Sequence, residues 1–137
     1  MRIVLDTNVL VSGLLTEHGN PGFILRLVLE GEIEFALDER ILAEYRAVLG
    51  RPKFGVARET QLALLKELQA IAVLSGLPKQ AVRLPDPDDQ RFLEVALAAS
   101  ADAIVTCNTK HFPADKCEPV RVITPAGLVQ LWSELNA

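Results

Sequence analysis

Aromatic side chains are scarce in this chain: one Trp, one Tyr and five Phe among 137 residues. The core must therefore be built from Leu, Val, Ile and Ala, in a sequence that is half apolar. Only two cysteines occur, Cys107 and Cys117, with neither a CxxC nor a metal-ligand spacing. That excludes a disulfide framework and a thiolate zinc site, and fits reduced thiols. No apolar run approaches the roughly 20 residues of a membrane-spanning helix, and no basic-then-apolar leader precedes Asp6. Excess positive charge is also missing. A net charge of -4 argues against tight, non-specific nucleic-acid binding through global charge. It leaves room for a local basic patch or for a metal that bridges to phosphate. Neither GxxxxGK[ST] nor GxGxxG is present, so nucleotide binding has no motif behind it. With no repeat, low-complexity tract or linker, the expectation is one soluble cytoplasmic domain over residues 1–137.

What the chain does contain is short apolar runs alternating with helical patterns. Arg2 to Leu5 is a β-rich run too short for a helix, and Val9 to Leu15 offers one or two helical turns. Asn20-Pro21-Gly22 reads as a turn and helix start, with the helix running over Phe23 to Leu29 and closed by Gly31. Ile33 to Leu37 reads as a second strand. Asp38 is placed to cap a helix from Glu39 to Leu49, stopped by Gly50 before Pro52. A long helix is expected over Ala57 to Leu74, broken by Gly76 and Pro78. Asp86-Pro87 opens another helix, running to about Ser100. Ala103 to Thr106 and Val120 to Ile123 read as strands, and Thr124-Pro125 caps a final helix containing Leu128, Leu131 and Trp132. The alternation predicts an α/β fold with a mostly parallel sheet covered on both faces. Ligands in such folds bind beyond the C-terminal ends of the strands, so the residues after each strand are the ones to inspect.

Asp6-Thr7-Asn8 follows the first strand. Asp6 is compatible with an Asx-turn or helix cap, and equally with a site at the mouth of the sheet. In the Asp86 block, capping and the helix dipole could account for Asp86, Asp88 and Asp89 together. At about 100° per residue, however, Asp89 falls in line with Phe92, Leu93 and Ala96, whereas Asp88 points away. A carboxylate on a buried face is costly unless a cation or donors meet it, which singles out Asp89. Glu44 lies at the edge of the stripe Ile41, Tyr45, Val48 and Leu49, and reads as a surface or snorkelling Glu as readily as a site residue. Three acids aimed at one end of a sheet suit a hard cation such as Mg²⁺ or Mn²⁺. Asn108, after the apolar strand, is either a turn residue or the neutral member of that group.

The stretches Ile3-Val-Leu-Asp-Thr-Asn-Val-Leu10, Asp86-Pro-Asp-Asp-Gln-Arg-Phe-Leu93 and Ile104-Val-Thr-Cys-Asn-Thr-Lys-His-Phe112, with the helical Glu44 between them, resemble the PIN-domain family. The similarity covers essentially the whole chain and is greatest to the VapC-like toxin components of toxin–antitoxin systems, a branch that Gly50-Arg-Pro-Lys-Phe54 also resembles. It implies an α/β/α sandwich around a parallel sheet and a Mg²⁺- or Mn²⁺-dependent endoribonuclease. Matched by motif, the family's first three acids are Asp6, Glu44 and Asp89. The fourth position, commonly Asp, is Asn108 here. The resemblance further implies that Asp6 and Asp89 hold the metal, with Glu44 a ligand or a partner to its water, and that hydrolysis leaves a 5′-phosphate and a 3′-hydroxyl. Thr7, Asn8 and Ser12 are candidates to orient the carboxylates or water. Arg51, Lys53 and Arg58 form the densest basic stretch, either tracking an RNA backbone or serving as ordinary loop charge. An antitoxin partner and a homodimer are expected from the same resemblance.

Rival classes fit less well. Haloacid-dehalogenase-like phosphatases need an Asp where Asn8 stands, and receiver domains need paired acids ahead of the strand-end Asp. A PIN-like RNA-binding module without turnover stays open, because Asn108 removes a negative charge. Neither His111 as a general base nor Cys107 as an oxidation sensor has support beyond proximity in sequence.

Overall fold

In the computed structural model, residues 1–74 and 83–137 are described. Among the described residues, five strands form one sheet: β1 (Arg2–Leu5), β2 (Glu34–Leu37), β3 (Val73–Leu74), β4 (Ala103–Val105) and β5 (Arg121–Ile123). The order is β3-β2-β1-β4-β5 and every pair is parallel. Seven α-helices among the described residues connect and cover these strands: α1 (Thr7–Leu15), α2 (Asn20–Leu29), α3 (Glu39–Leu49), α4 (Arg58–Ile71), α5 (Gln90–Ala98), α6 (Ala114–Cys117) and α7 (Pro125–Leu135). Short 3₁₀ turns occupy Pro52–Phe54, Pro87–Asp89 and Thr109–His111. The result is the expected α/β sandwich.

The central strands β1, β2 and β4 are buried on both faces, which is why they read as largely continuous apolar runs rather than as alternating ones. Ile3, Val4, Leu5, Phe35, Ala36, Ile104 and Val105 are each 0–1% exposed. Strand order reverses between β1 and β4, so their C-terminal ends form a topological switch point, the usual ligand crevice of open α/β sheets. Two local devices hold the switch point in register. The Asp6 N–H donates to the Val105 carbonyl at 3.0 Å, and the Thr106 N–H to the Ile123 carbonyl at 3.0 Å. The phenol of buried Tyr45 in α3 donates to the Leu5 carbonyl at 2.5 Å, one residue before Asp6.

The structure corrects three boundaries. The helix expected over Ala57 to Leu74 ends at Ile71, where Ala72 turns extended (φ -66°, ψ 141°) and Val73–Leu74 pairs with β2 as an edge strand. Two residues carry no readable strand period, so pairing rather than local pattern sets their state. The breakers Gly76 and Pro78 lie outside the described residues. The helix expected to open at Asp86 begins instead as the 3₁₀ turn Pro87–Asp89, and it ends at Ala98 rather than Ser100, whose φ is 52°. Asp38 caps α3 through a 3.0 Å bond from the Ile41 N–H, and Thr124 caps α7 through one of 3.1 Å from the Gly127 N–H, both as expected.

Candidate metal centre at the sheet switch point

Asp6 leaves β1 as the N-cap of α1, and its carbonyl accepts the first helical bonds from Val9 and Leu10. Its carboxylate has a further task. Oδ1 accepts the Thr7 N–H at 2.8 Å, and Oδ2 accepts the Thr106 hydroxyl at 2.7 Å. Capping and site membership are thus compatible readings of the same residue. Burial pushes the Asp6 carboxyl above its ordinary pKa, against the opposing pull of Thr106, Thr7 and nearby His111.

Asp89 closes the 3₁₀ turn that Asp86 caps, with Asp86 Oδ1 accepting the Asp88 N–H at 2.9 Å. The residue is 8% exposed, whereas the Asp88 side chain is 82% exposed, so the facing argument holds although the first turn is 3₁₀. Asp89 Oδ2 is buried without a hydrogen-bond partner among the described residues; His111 Nδ1 lies 3.1 Å away but off the hydrogen-bonding direction. A buried carboxylate oxygen in that condition is expensive. Accordingly the Asp89 pKa is raised to about 6, first by burial and then by the negative charge of Asp6, with His111 pulling the other way.

Glu44 faces the same crevice from α3, half-buried. The Thr7 hydroxyl donates to its Oε2, and Arg91 Nη1 sits 3.6 Å from its Oε1. Arg91 Nη2 is 3.8 Å from the exposed Asp88. Asn108 is exposed; its N–H donates to the Thr106 hydroxyl at 3.0 Å, and its amide nitrogen lies 2.9 Å from His111 Nε2. It therefore reaches the acids through His111.

Of the expected orienting residues, Thr7 binds both Asp6 and Glu44, while Asn8 and Ser12 make no side-chain hydrogen bond among the described residues. Arg51, Lys53 and Arg58 are exposed, and Arg51 lies seven positions beyond Glu44, past the end of α3. Among the described residues no hydrogen bond or ion pair joins them to the acids; Lys53 Nζ lies over the Phe54 ring at 5.0 Å. Cys107 is exposed and Cys117 buried, both as free thiols. A cleft of about 940 Å³ opens at the opposite, N-terminal end of the strands, among Met1, Ala101, Asp102, Arg121 and Leu131, and contains none of the candidate site residues.

Thr106 and Arg91 had no role in the sequence reading, whereas Asp86 was weighed as a cap and His111 as a general base. Thr106 and His111 flank Asn108 inside a stretch already singled out, so proximity was the available signal. The contact of Arg91 with Glu44 spans 47 positions and has no sequence signature.

A family model described as the PIN domain matches residues 2–110. The chain belongs to the PIN domain family. PIN domains are generally nucleases that use a divalent metal, and an acidic group stands ready at the switch point. An uncharacterized protein of Methanocaldococcus jannaschii is 31% identical over 104 residues, covering 74% of this chain and 67% of that protein. Among solved structures, this PIN domain superposes on a chain of VapBC2 from Rickettsia felis, bound there to a DNA fragment from its promoter. The TM-score is 0.57 at 16% identity, covering 90% of this chain and 98% of that one. That likeness is one of fold.

Proposed function

We propose that the chain, acting as one unit over residues 1–137, is a divalent-metal-dependent endoribonuclease and the toxin component of a toxin–antitoxin pair. The observation that carries the reading is the buried Asp89 Oδ2, which lacks a hydrogen-bond partner beside a second raised carboxylate, Asp6. Carboxylates held this way are poor anions alone and good ligands for Mg²⁺ or Mn²⁺. Such an ion, when bound, acidifies an attacking water and stabilises charge on the scissile phosphate.

The chain's own residues do the rest. Thr7 and Thr106 fix both oxygens of Asp6, so its carboxylate cannot swing away as the charge around it changes. Asp89 contributes an oxygen that has no hydrogen-bond partner among the described residues. Glu44, held on one side by Thr7 and on the other by Arg91, is positioned to orient water beside the two ligands. Arg51, Lys53 and Arg58 supply exposed positive charge for an RNA backbone. The toxin role is supported by the family match together with the fold shared with a VapBC2 chain. It carries with it an antitoxin partner, a homodimer and a cytoplasmic setting.

The test is cleavage of labelled RNA in Mg²⁺ or Mn²⁺ by wild type and Asp6→Asn. Loss of at least about a hundredfold in rate is expected. Near wild-type cleavage by the variant would refute the assignment. A wild type that binds RNA without cutting it would favour the binding-module reading, which the uncharged Asn108 keeps open.

A further inference from the structure

His111 plays no part in the acid set on which the proposed function rests, yet the fold delivers it there. The 3₁₀ turn Thr109–His111 follows β4 and brings the ring over Asp89, with Nδ1 3.1 Å from the carboxylate oxygen that has no hydrogen-bond partner. One ligand atom each from Asp86, Asp89 and His111 lie within 4.8 Å of one another. Donors around one ion at about 2.1 Å are separated by no more than about 4.2 Å, so small side-chain rotations suffice to close the set.

The surroundings of the ring also suit a ligand. Asn108 Nδ2 lies 2.9 Å from His111 Nε2, and an amide turned by 180° presents its oxygen there instead. In that orientation it accepts the Nε2 proton and leaves the Nδ1 lone pair free for an ion held beside Asp89. An acceptor on the far ring nitrogen commonly fixes the tautomer of a ligating histidine. A carboxylate in place of Asn108 would bring added charge; the amide orients the ring without it.

We infer that His111 is a nitrogen ligand completing, with Asp86 and Asp89, a mixed nitrogen–oxygen cation site that selects Mn²⁺, Co²⁺ or other transition ions over Mg²⁺. Magnesium favours oxygen donors and retained water, whereas imidazole suits the later first-row ions. The inference deepens the proposed metal-dependent function and rests on that reading for its biological meaning.

The experiment is calorimetric titration of the RNA-free protein with Mg²⁺, Mn²⁺ and Co²⁺, for wild type, His111→Ala and Asn108→Ala. Wild type should bind Co²⁺ and Mn²⁺ at least about tenfold more tightly than Mg²⁺. His111→Ala should lose most of that preference while its Mg²⁺ affinity changes by no more than about twofold. Asn108→Ala should weaken Co²⁺ binding by about tenfold. Because the His111 side chain is 46% exposed, its truncation leaves the core intact. Electron spin-echo spectra of the Mn²⁺ complex should show nitrogen coupling in wild type and none in His111→Ala. An unchanged Co²⁺-to-Mg²⁺ ratio in His111→Ala, absent nitrogen coupling in wild type, or no Co²⁺ binding would overturn the inference. None of these measurements involves RNA, so failure of the ribonuclease reading registers separately, in the Asp6→Asn cleavage assay.

Discussion

Asp88 and Asp89 are adjacent in sequence and opposite in environment, with side chains 82% and 12% exposed. Their amide substitutions should separate accordingly. Asp89→Asn should abolish RNA cleavage and Asp88→Asn should leave it within about threefold; equal losses would refute the distinction between the two faces. Asp89 also makes metal-free stability depend on pH. Its folded pKa of about 6 lies above the ordinary value of 3.8, so below about pH 4 both states are protonated and nothing is lost. As pH rises towards 6 the unfolded chain releases its proton first, and folded stability falls by roughly 3 kcal/mol once pH exceeds 6. Denaturant melts in chelator should therefore show Asp89→Asn close to wild type at pH 4 and more stable than wild type at pH 7.5. A difference that does not change with pH would show that Asp89 is not held as described.

At the level of elements, the site depends on how closely α1 and α2 pack beneath it. A Cβ built at Gly22 would lie 2.4 Å from the Glu17 carbonyl oxygen, and one at Gly13 would lie 2.8 Å from that of Pro21. Both obstacles are backbone, so neither can rotate aside. Gly22→Ala should cost about 2–3 kcal/mol of stability, read as a lowered denaturant midpoint at unchanged slope. A neutral substitution would mean that the α1–α2 connection yields more easily than its geometry indicates. Most elements were readable because apolar spacing and caps agreed: Asp38, Gly50 and Thr124 mark their helix ends by residue type alone. Two elements were not. Val73–Leu74 becomes a strand by pairing with β2, and the Pro87–Asp89 turn by the capping geometry of Asp86; neither has a period to read.

For the whole molecule, the crevice concentrates negative charge from three parts of the fold, the end of β1, α3 and the Pro87–Asp89 turn, and a bound cation should relieve it. Mn²⁺ at about a hundred times its dissociation constant should stabilise the protein by about 2.7 kcal/mol, raising Tm by roughly 8 °C. Asp6→Asn and Asp89→Asn should lose most of that rise. A wild-type Tm that responds to neither Mn²⁺ nor Mg²⁺ would count against a metal centre here. The acids at residues 6, 44 and 89 converge because β1 and β4 are neighbours while β2 lies on the other side of β1, an order that no local pattern encodes.

Sequence alone determined the parallel α/β class, since its strands are short, mostly apolar runs that alternate with amphipathic helices. It also determined which of two adjacent aspartates turns inward, because that follows from angular position relative to Phe92, Leu93 and Ala96. Only tertiary structure decided what each acid meets. The Thr106 hydroxyl on Asp6, Arg91 beside Glu44 and His111 over Asp89 are contacts across 100, 47 and 22 positions. Interactions over such separations are set by strand order and helix packing, so they become legible only once the chain is folded.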